Sequence, residues 1–399
     1  MLETALGHLR VIDLTHYIAG PFATRLLADY GADVVKVELP PLGDGARRLG
    51  PFPGDTPDIE KSGIFLHLNT NKRGITLDLK KRGGVEVLKE LARTADVLVE
   101  SFEPRVMPSL GLGYEVLEAV NPRLVMVSVS TFGQYGPYRD YKGSEIVAYA
   151  LGGPFYVTGQ ADRPPLKLGG NAVQYLAGVH AAGAALTAAL GAMLRGRGDH
   201  VDVSIMDTQA GSPDRRTPML MGHQFTKEVF RRGSGNMPPI RPCKDGYMNI
   251  QVGLRLIEKL APMLGMPELA QDPRFTDPLA ARKPENAEAF EAIHMAWVSE
   301  RTMAEAWEAA QRQHVASGPV YTASDVLADR HLNVRGYWEE IEHPAAGRLR
   351  YTGRPFRTPM EPRIPRRPAP RLGEHTQEVL AELGYDAKAV ARLRKEGVV

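Results

Sequence analysis

Through the first 130 residues, short apolar runs alternate with longer amphipathic stretches. Leu9 to Leu14 (LRVIDL) reads as a buried strand. Pro21 suits the first turn of a helix running to about Tyr30, and Gly31 ends it. Asp33 to Glu38 (DVVKVE) is the next strand, so a βαβ unit with a right-handed crossover opens the chain. The pattern repeats as a strand at Gly74 to Leu79, a helix from about Lys81 to Thr94 and a strand at Asp96 to Glu100. A helical segment, Tyr114 to Val120, then precedes a strand at Leu124 to Ser130. Four or five such repeats predict an α/β fold built on an open, doubly wound sheet. Ligands then sit beyond the C-terminal strand ends, near residues 15–20, 77–80, 101–105 and 130–145.

The stretch Pro165 to Gln209 organises the rest. Gly169-Gly170 leads into a run of small apolar residues, Ala177 to Leu194, then a Gly-Arg-Gly turn and an alternating strand, Val201 to Ile205. Small residues let a helix approach its neighbours closely, which predicts a buried helix. Its glycines and polar boundaries argue against a membrane span. Gln174 lies where that helix begins, placed for a loop to present it to a cleft.

Beyond residue 210 the texture changes. A strand is expected at Met248 to Val252, and a more polar helical region from Leu256 to about Ala323 reads as a smaller domain. From Leu327 the chain is Pro/Arg-rich and reads as an extended arm, ending in two amphipathic helices, Gly373 to Gly384 and Asp386 to Glu396.

At 399 residues the chain is long enough for two domains. A net charge of +2 implies no nucleic-acid field. The single cysteine, Cys243, excludes a disulfide framework and a multi-Cys metal site, and fits a cytoplasmic protein; it reads as a small hydrophobe. No secretion signal is visible at the N-terminus. The first strand–helix turn, THYIAGP, lacks GxGxxG, which disfavours a nicotinamide dehydrogenase.

IDLTHYIAGPFA, GADVVKVE, NTNKRGITLDL, DVLVESFEP, LGLGYEVL, NPRLVMVSVSTFGQYGPY, VDVSIMDT and LGEHTQEVLAELG, in this order, resemble the class III CoA-transferases, relatives of formyl-CoA and carnitine-CoA transferases and of α-methylacyl-CoA racemase. The resemblance implies a large Rossmann-like CoA-binding domain (residues 1–215, completed by about 330–399), a smaller α+β domain (225–325) and two chains threaded into an interlocked dimer. It implies a mechanism in which an aspartate attacks an acyl-CoA thioester to form an anhydride. CoA thiolate then converts the anhydride to an aspartyl-CoA thioester, from which the acceptor acid takes CoA. No metal takes part.

The nucleophile's position falls on Gln174, and an amide is a poor nucleophile at neutral pH. Asp162 is the nearest upstream carboxylate but lies outside the motif. The racemase branch fares no better: its aspartate also falls on Gln174 and its histidine on Ser144. Glu145 matches the family's second active-site carboxylate; the bland alternative is that it caps a helix beginning near Ile146. Ile18, Ala19, Leu77, Lys80, Ser101, Phe102 and Lys142 match positions that hold CoA, whereas Ser109 replaces a family arginine near the phosphates. Gly233-Ser234-Gly235 resembles a mobile lid, and Arg231-Arg232 reads as a solvated turn that alternatively meets CoA phosphates. His16 either does acid/base work or is a satisfied loop residue.

Three functions compete. The first is the non-nucleophilic subunit of a heteromeric CoA-transferase whose Asp-bearing paralogue completes the exchange, with a donor such as succinyl-CoA and an acceptor of the benzylsuccinate type. The second is a self-sufficient acyl-CoA isomerase, lyase or hydrolase using Glu145 with His16. The third is an acyl-CoA-binding module without chemistry. None of these involves nucleic acid or a membrane.

Overall fold

Six parallel strands carry the larger part of the chain: β1 (Arg10–Leu14), β2 (Asp33–Glu38), β3 (Arg73–Thr76), β4 (Val97–Glu100), β5 (Val125–Ser130) and β6 (His200–Ser204). Their order is β3-β2-β1-β4-β5-β6, so β1 lies between β2 and β4 and the winding reverses beside it. The computed structural model describes residues 4–160, 162–211, 216–229, 240–251, 256–357 and 366–399. Arg231-Arg232 and Gly233-Ser234-Gly235 lie outside the described residues.

The helices between the strands are α1 (Ala19–Asp29), α2 (Gly63–Leu68), α3 (Arg82–Thr94), α4 (Val106–Ser109), α5 (Tyr114–Val120), α6 (Glu145–Leu151), α7 (Pro154–Val157) and α8 (Ala172–Arg195). Because successive strand residues face opposite sides, each strand feeds two cores. Val11, Val99 and Val127 meet the small residues of α1 and α8 on one face. Ile12, Leu98 and Met126 meet α3 and the C-terminal helices Thr376–Glu382 and Ala387–Lys395 on the other. The match to CoA-transferase-like expectation is thus a mixed α/β unit on a six-stranded parallel sheet.

Three expectations need correction. The strand placed at residues 74–79 is Arg73–Thr76, and Leu77 beyond it donates its N–H to the Glu38 carbonyl at 2.8 Å. The small-residue helix starts at Ala172, not Ala177, so Gln174 belongs to its first turn rather than to a loop. Its glycines do not break it. By length and composition alone α8 could cross a membrane, but 44% of its apolar window is buried against its own protein. The arm after residue 327 is not all extended: β10 (Trp338–His343) and β11 (Gly347–Thr352) form an antiparallel hairpin, since Ile341 and Tyr351 alternate inward to join Phe65 and Leu66. Buried arginines fasten the segment that follows. Arg366 pairs with Asp29 at 2.7 Å, and Arg47 donates to the Pro370 carbonyl at 2.9 Å.

Contacts divide the chain into two units, Met1–Arg232 with Tyr337–Val399, and Gly233–Gly336. Within the second, β7 (Ile240–Cys243), β8 (Gly246–Ile250) and β9 (Ser317–Pro319) make an antiparallel sheet. Its apolar residues share a core with helices Ile257–Leu264, Pro284–Ser299 and Met303–Arg312.

Close approach of α1 and α8 depends on Gly178. A Cβ there would lie 2.6 Å from the Ala19 carbonyl oxygen, whereas one at Gly183 would meet nothing within 4 Å among the described residues. Alanine in a helix interior is favoured over glycine by up to about 1 kcal/mol. Overpacking costs about 1–3 kcal/mol and wins at the first position. Urea unfolding should therefore show Gly178→Ala destabilised and Gly183→Ala unchanged or stabilised.

Candidate functional site

The loop after β1 is fixed from below by buried charges. Asp13 is fully buried in an apolar strand. Its carboxylate accepts from Thr15 Oγ1 at 2.5 Å, Thr24 Oγ1 at 2.7 Å and Lys72 Nζ at 2.9 Å. Lys72 spends its other protons on the Pro21 carbonyl and Asn69 Oδ1, so all three ammonium donors are used. Lys36, also buried, donates to the Thr15 carbonyl at 2.8 Å and meets Asp44 Oδ2 at 3.0 Å. Burial pushes the Asp13 carboxyl up, but Lys36 and Lys72 outweigh it and hold the group below the usual carboxylate range. Asp44 behaves likewise: burial opposes ionisation, and Lys36 with His16 and the Tyr17 N–H overcomes it.

Above this cluster opens a cleft of about 640 Å³ at the C-terminal ends of β1, β4 and β5. His16 to Gly20, Ser101 to Val106 and Val129 to Phe132 form its walls, with Arg139 to Ser144, Gln174 and Ile205. His16 is pinned in three ways. Its N–H donates to Ser101 Oγ at 2.9 Å, its ring lies 5.4 Å from that of Phe102, and its Nδ1 is 3.6 Å from Asp44 Oδ1. The N-cap of α1, Ile18, supplies no side-chain acceptor, so the first turn of α1 faces the cleft without a side-chain cap. Ser130, 8% exposed, also lines the cleft, and its hydroxyl has no hydrogen-bond partner among the described residues.

Of the residues singled out in the sequence, Ile18, Ala19, Ser101, Phe102, Lys142 and Gln174 come together in this cleft. Lys142 is exposed and paired with Glu103. Leu77, Lys80 and Glu145 are not among its lining residues. Leu77 is core, and Lys80 is exposed beside Asp78. Asp162 is exposed and also outside the cleft. Glu145 opens α6, but its carboxylate does not cap that helix. It accepts from the N–H groups of Val173 and Gln174, at 3.1 and 3.2 Å, and Lys167 lies 3.5 Å away. Glu145 therefore caps α8, whose own N-cap, Asn171, makes no side-chain bond. A carboxylate suits that end, where orphan N–H groups carry partial positive charge.

Sequence reasoning missed the cluster of Asp13, Lys36, Asp44 and Lys72. Its signal was present: a charge inside each of the apolar runs RVIDL and DVVKVE. It also missed Glu100 at the end of β4. Burial pushes this carboxyl up to about 7, and the charge of Asp202 adds to the effect, against hydrogen bonds from Ser128 and the Phe102 N–H.

Comparison with known proteins adds the following. The profile of CoA-transferase family III matches residues 6–376. Formyl-CoA:oxalate CoA-transferase of Bradyrhizobium diazoefficiens is 34% identical, with 100% of this chain and 98% of that protein aligned. Succinate–glutarate CoA-transferase of Agrobacterium fabrum is 32% identical, with 95% of each covered. Succinyl-CoA:(R)-benzylsuccinate CoA-transferase subunit BbsE of Thauera aromatica is 33% identical, with 98% of each covered. Among solved structures, a CAIB/BAIF family protein from Brucella suis superposes with a TM-score of 0.82 at 29% identity, covering 96% of this chain and 100% of that one.

Two expectations follow from the geometry. Glu145→Ala removes the cap of α8 and should lower stability by about 0.5–2 kcal/mol, read from urea midpoints, with Glu145→Gln intermediate. Glu100 keeps its proton to about pH 7 when folded, against an ordinary value of 4.5. Between those values the folded state binds the extra proton, so stability falls as pH rises and stays lower above pH 7. Glu100→Gln should therefore gain on the wild type across that interval, by about 3 kcal/mol at most, and show no gain below pH 4.5.

Proposed function

This chain belongs to CoA-transferase family III, and on that premise we propose that it is the non-nucleophilic subunit of a heteromeric CoA-transferase. The family implies CoA thioesters and carboxylic acids as substrates. The observation that carries the proposal is the side chain at 174. It lines the cleft from the first turn of α8, where the resemblance calls for an acid, and it is an amide. The nearest carboxylate along that helix end, Glu145, is engaged by two backbone N–H groups and Lys167. An anhydride requires a free carboxylate oxygen as nucleophile, which an amide does not offer.

In this reading Ile18, Ala19, Leu77, Lys80, Ser101, Phe102 and Lys142 serve the CoA ester. Gln174 donates a hydrogen bond to the thioester carbonyl without being acylated, and Glu145 positions it by holding the start of α8. Residues 1–215 with about 330–399 bind CoA. An Asp-bearing paralogue supplies the nucleophile in an interlocked assembly. The donor is succinyl-CoA and the acceptor an acid of the benzylsuccinate type. A relative described as one subunit of such an enzyme supports this. So does the outer side of α8, where Val179, Leu190, Met193 and Leu194 are at least half exposed. The assembly works in the cytoplasm.

The chain purified alone should exchange no CoA between succinyl-CoA and an acceptor acid. Co-expression with an Asp-bearing paralogue should restore exchange, and native mass spectrometry should show a mixed oligomer. Exchange by the isolated chain defeats the proposal.

A further inference from the structure

The cleft of the isolated chain holds more chemistry than an accessory subunit requires. Asp44 is buried and kept ionised by Lys36 at 3.0 Å, and it faces His16 Nδ1 at 3.6 Å. With Nδ1 turned to that carboxylate, Nε2 is the ring nitrogen left for the cleft that His16 lines. Ser101 holds the His16 backbone, and the Phe102 ring lies 5.4 Å from the imidazole. Donors for a developing oxyanion border the same space. They are the uncapped first-turn N–H groups of Ala19 and Gly20 and the unpartnered hydroxyl of the buried Ser130. A base, its orienting carboxylate and oxyanion donors thus share one cleft that lacks a protein nucleophile at position 174.

We propose that this chain, without a partner, hydrolyses acyl-CoA thioesters, with His16 as general base toward water and Asp44 as the residue that positions it. The proposal rests on the reading that acyl-CoA occupies this cleft. His16 Nε2 takes a proton from water while the water oxygen bonds to the thioester carbonyl carbon. The carbonyl electron pair moves onto oxygen, facing Ser130 and the start of α1. When the pair returns, the carbon–sulfur bond breaks and sulfur leaves with its electrons. The imidazolium then returns its proton to the thiolate, so acyl-CoA and water become a carboxylic acid and CoA. Gln174 is compatible with this route. Unlike an aspartate, it does not compete with water for the carbonyl, and it adds no negative charge where the oxyanion forms.

The test uses the full chain with acetyl-CoA and succinyl-CoA as probes and no acceptor acid. Thiol release, ¹⁸O incorporation from labelled water and calorimetric binding of each probe are measured in parallel. The expected result is continuous thiol release with one ¹⁸O in the released acid. His16→Gln should slow release by roughly 100-fold or more with probe binding retained. Ser130→Ala should lower kcat with little change in KM, and the pH–rate profile should lose its ascending limb in His16→Gln. Asp44→Asn should lower kcat more than it raises KM; because Asp44 also serves the buried cluster, the His16 and Ser130 variants keep the test decisive if it fails to fold. Binding without thiol release overturns hydrolysis, and undiminished release by His16→Gln overturns His16 as its base; either outcome leaves the subunit reading standing. Failure of both probes to bind overturns the acyl-CoA occupancy on which both depend.

Discussion

The paired burial of Asp13, Lys36, Asp44 and Lys72 is the constraint on which the site depends. Charges are not carried into a parallel sheet without cost, and each of these is neutralised by a partner and by hydrogen bonds. Two of the bonds reach backbone carbonyls, at Thr15 and Pro21, which bracket the loop holding His16, Ile18 and Ala19. The loop's path is therefore set by charge pairing beneath it rather than by packing above it. Removing one member would leave another buried and unpaired, an event that typically costs about 3–5 kcal/mol. That asymmetry fixes the cleft wall more firmly than an apolar contact of the same size would.

A second constraint acts through Glu145. It borrows the start of α8 from a different helix, and so couples the position of residue 174 to α6. A carboxylate at 174 would share this corner with Glu145, and two like charges close together resist joint ionisation. The amide relieves that repulsion. Glu145, free of that repulsion, spends its carboxylate on the start of α8.

Much of this was legible in advance. Strands β1, β2, β4 and β5 and the helices between them followed from alternating apolar and amphipathic segments, because a parallel sheet buried on both faces leaves strands as continuous apolar runs. The hairpin at residues 338–352 was not legible. Glu340 and Glu342 make its outer side read as polar coil, Glu339 adds a charge on the inward side, and that side is carried by few apolar residues, among them Ile341. Five of the seven proposed CoA-site residues, with Gln174, gather at one cleft because the sheet brings its C-terminal strand ends together. The role of Glu145 was hidden for a different reason. Its bonds reach 28 and 29 residues along the chain, and no local spacing announces a cap supplied from elsewhere. His16 and Asp44, likewise 28 positions apart, meet where Lys36 and the Tyr17 N–H both bind Asp44 beneath the first loop.

The outward side of α8 has a consequence for how the protein is made. Leu190, Met193 and Leu194 stand in water on a single copy, and such an apolar strip invites chaperones, proteases and self-association. A newly synthesised chain is therefore safest when that strip is covered soon after it folds, so the rate of burial matters as much as its final extent.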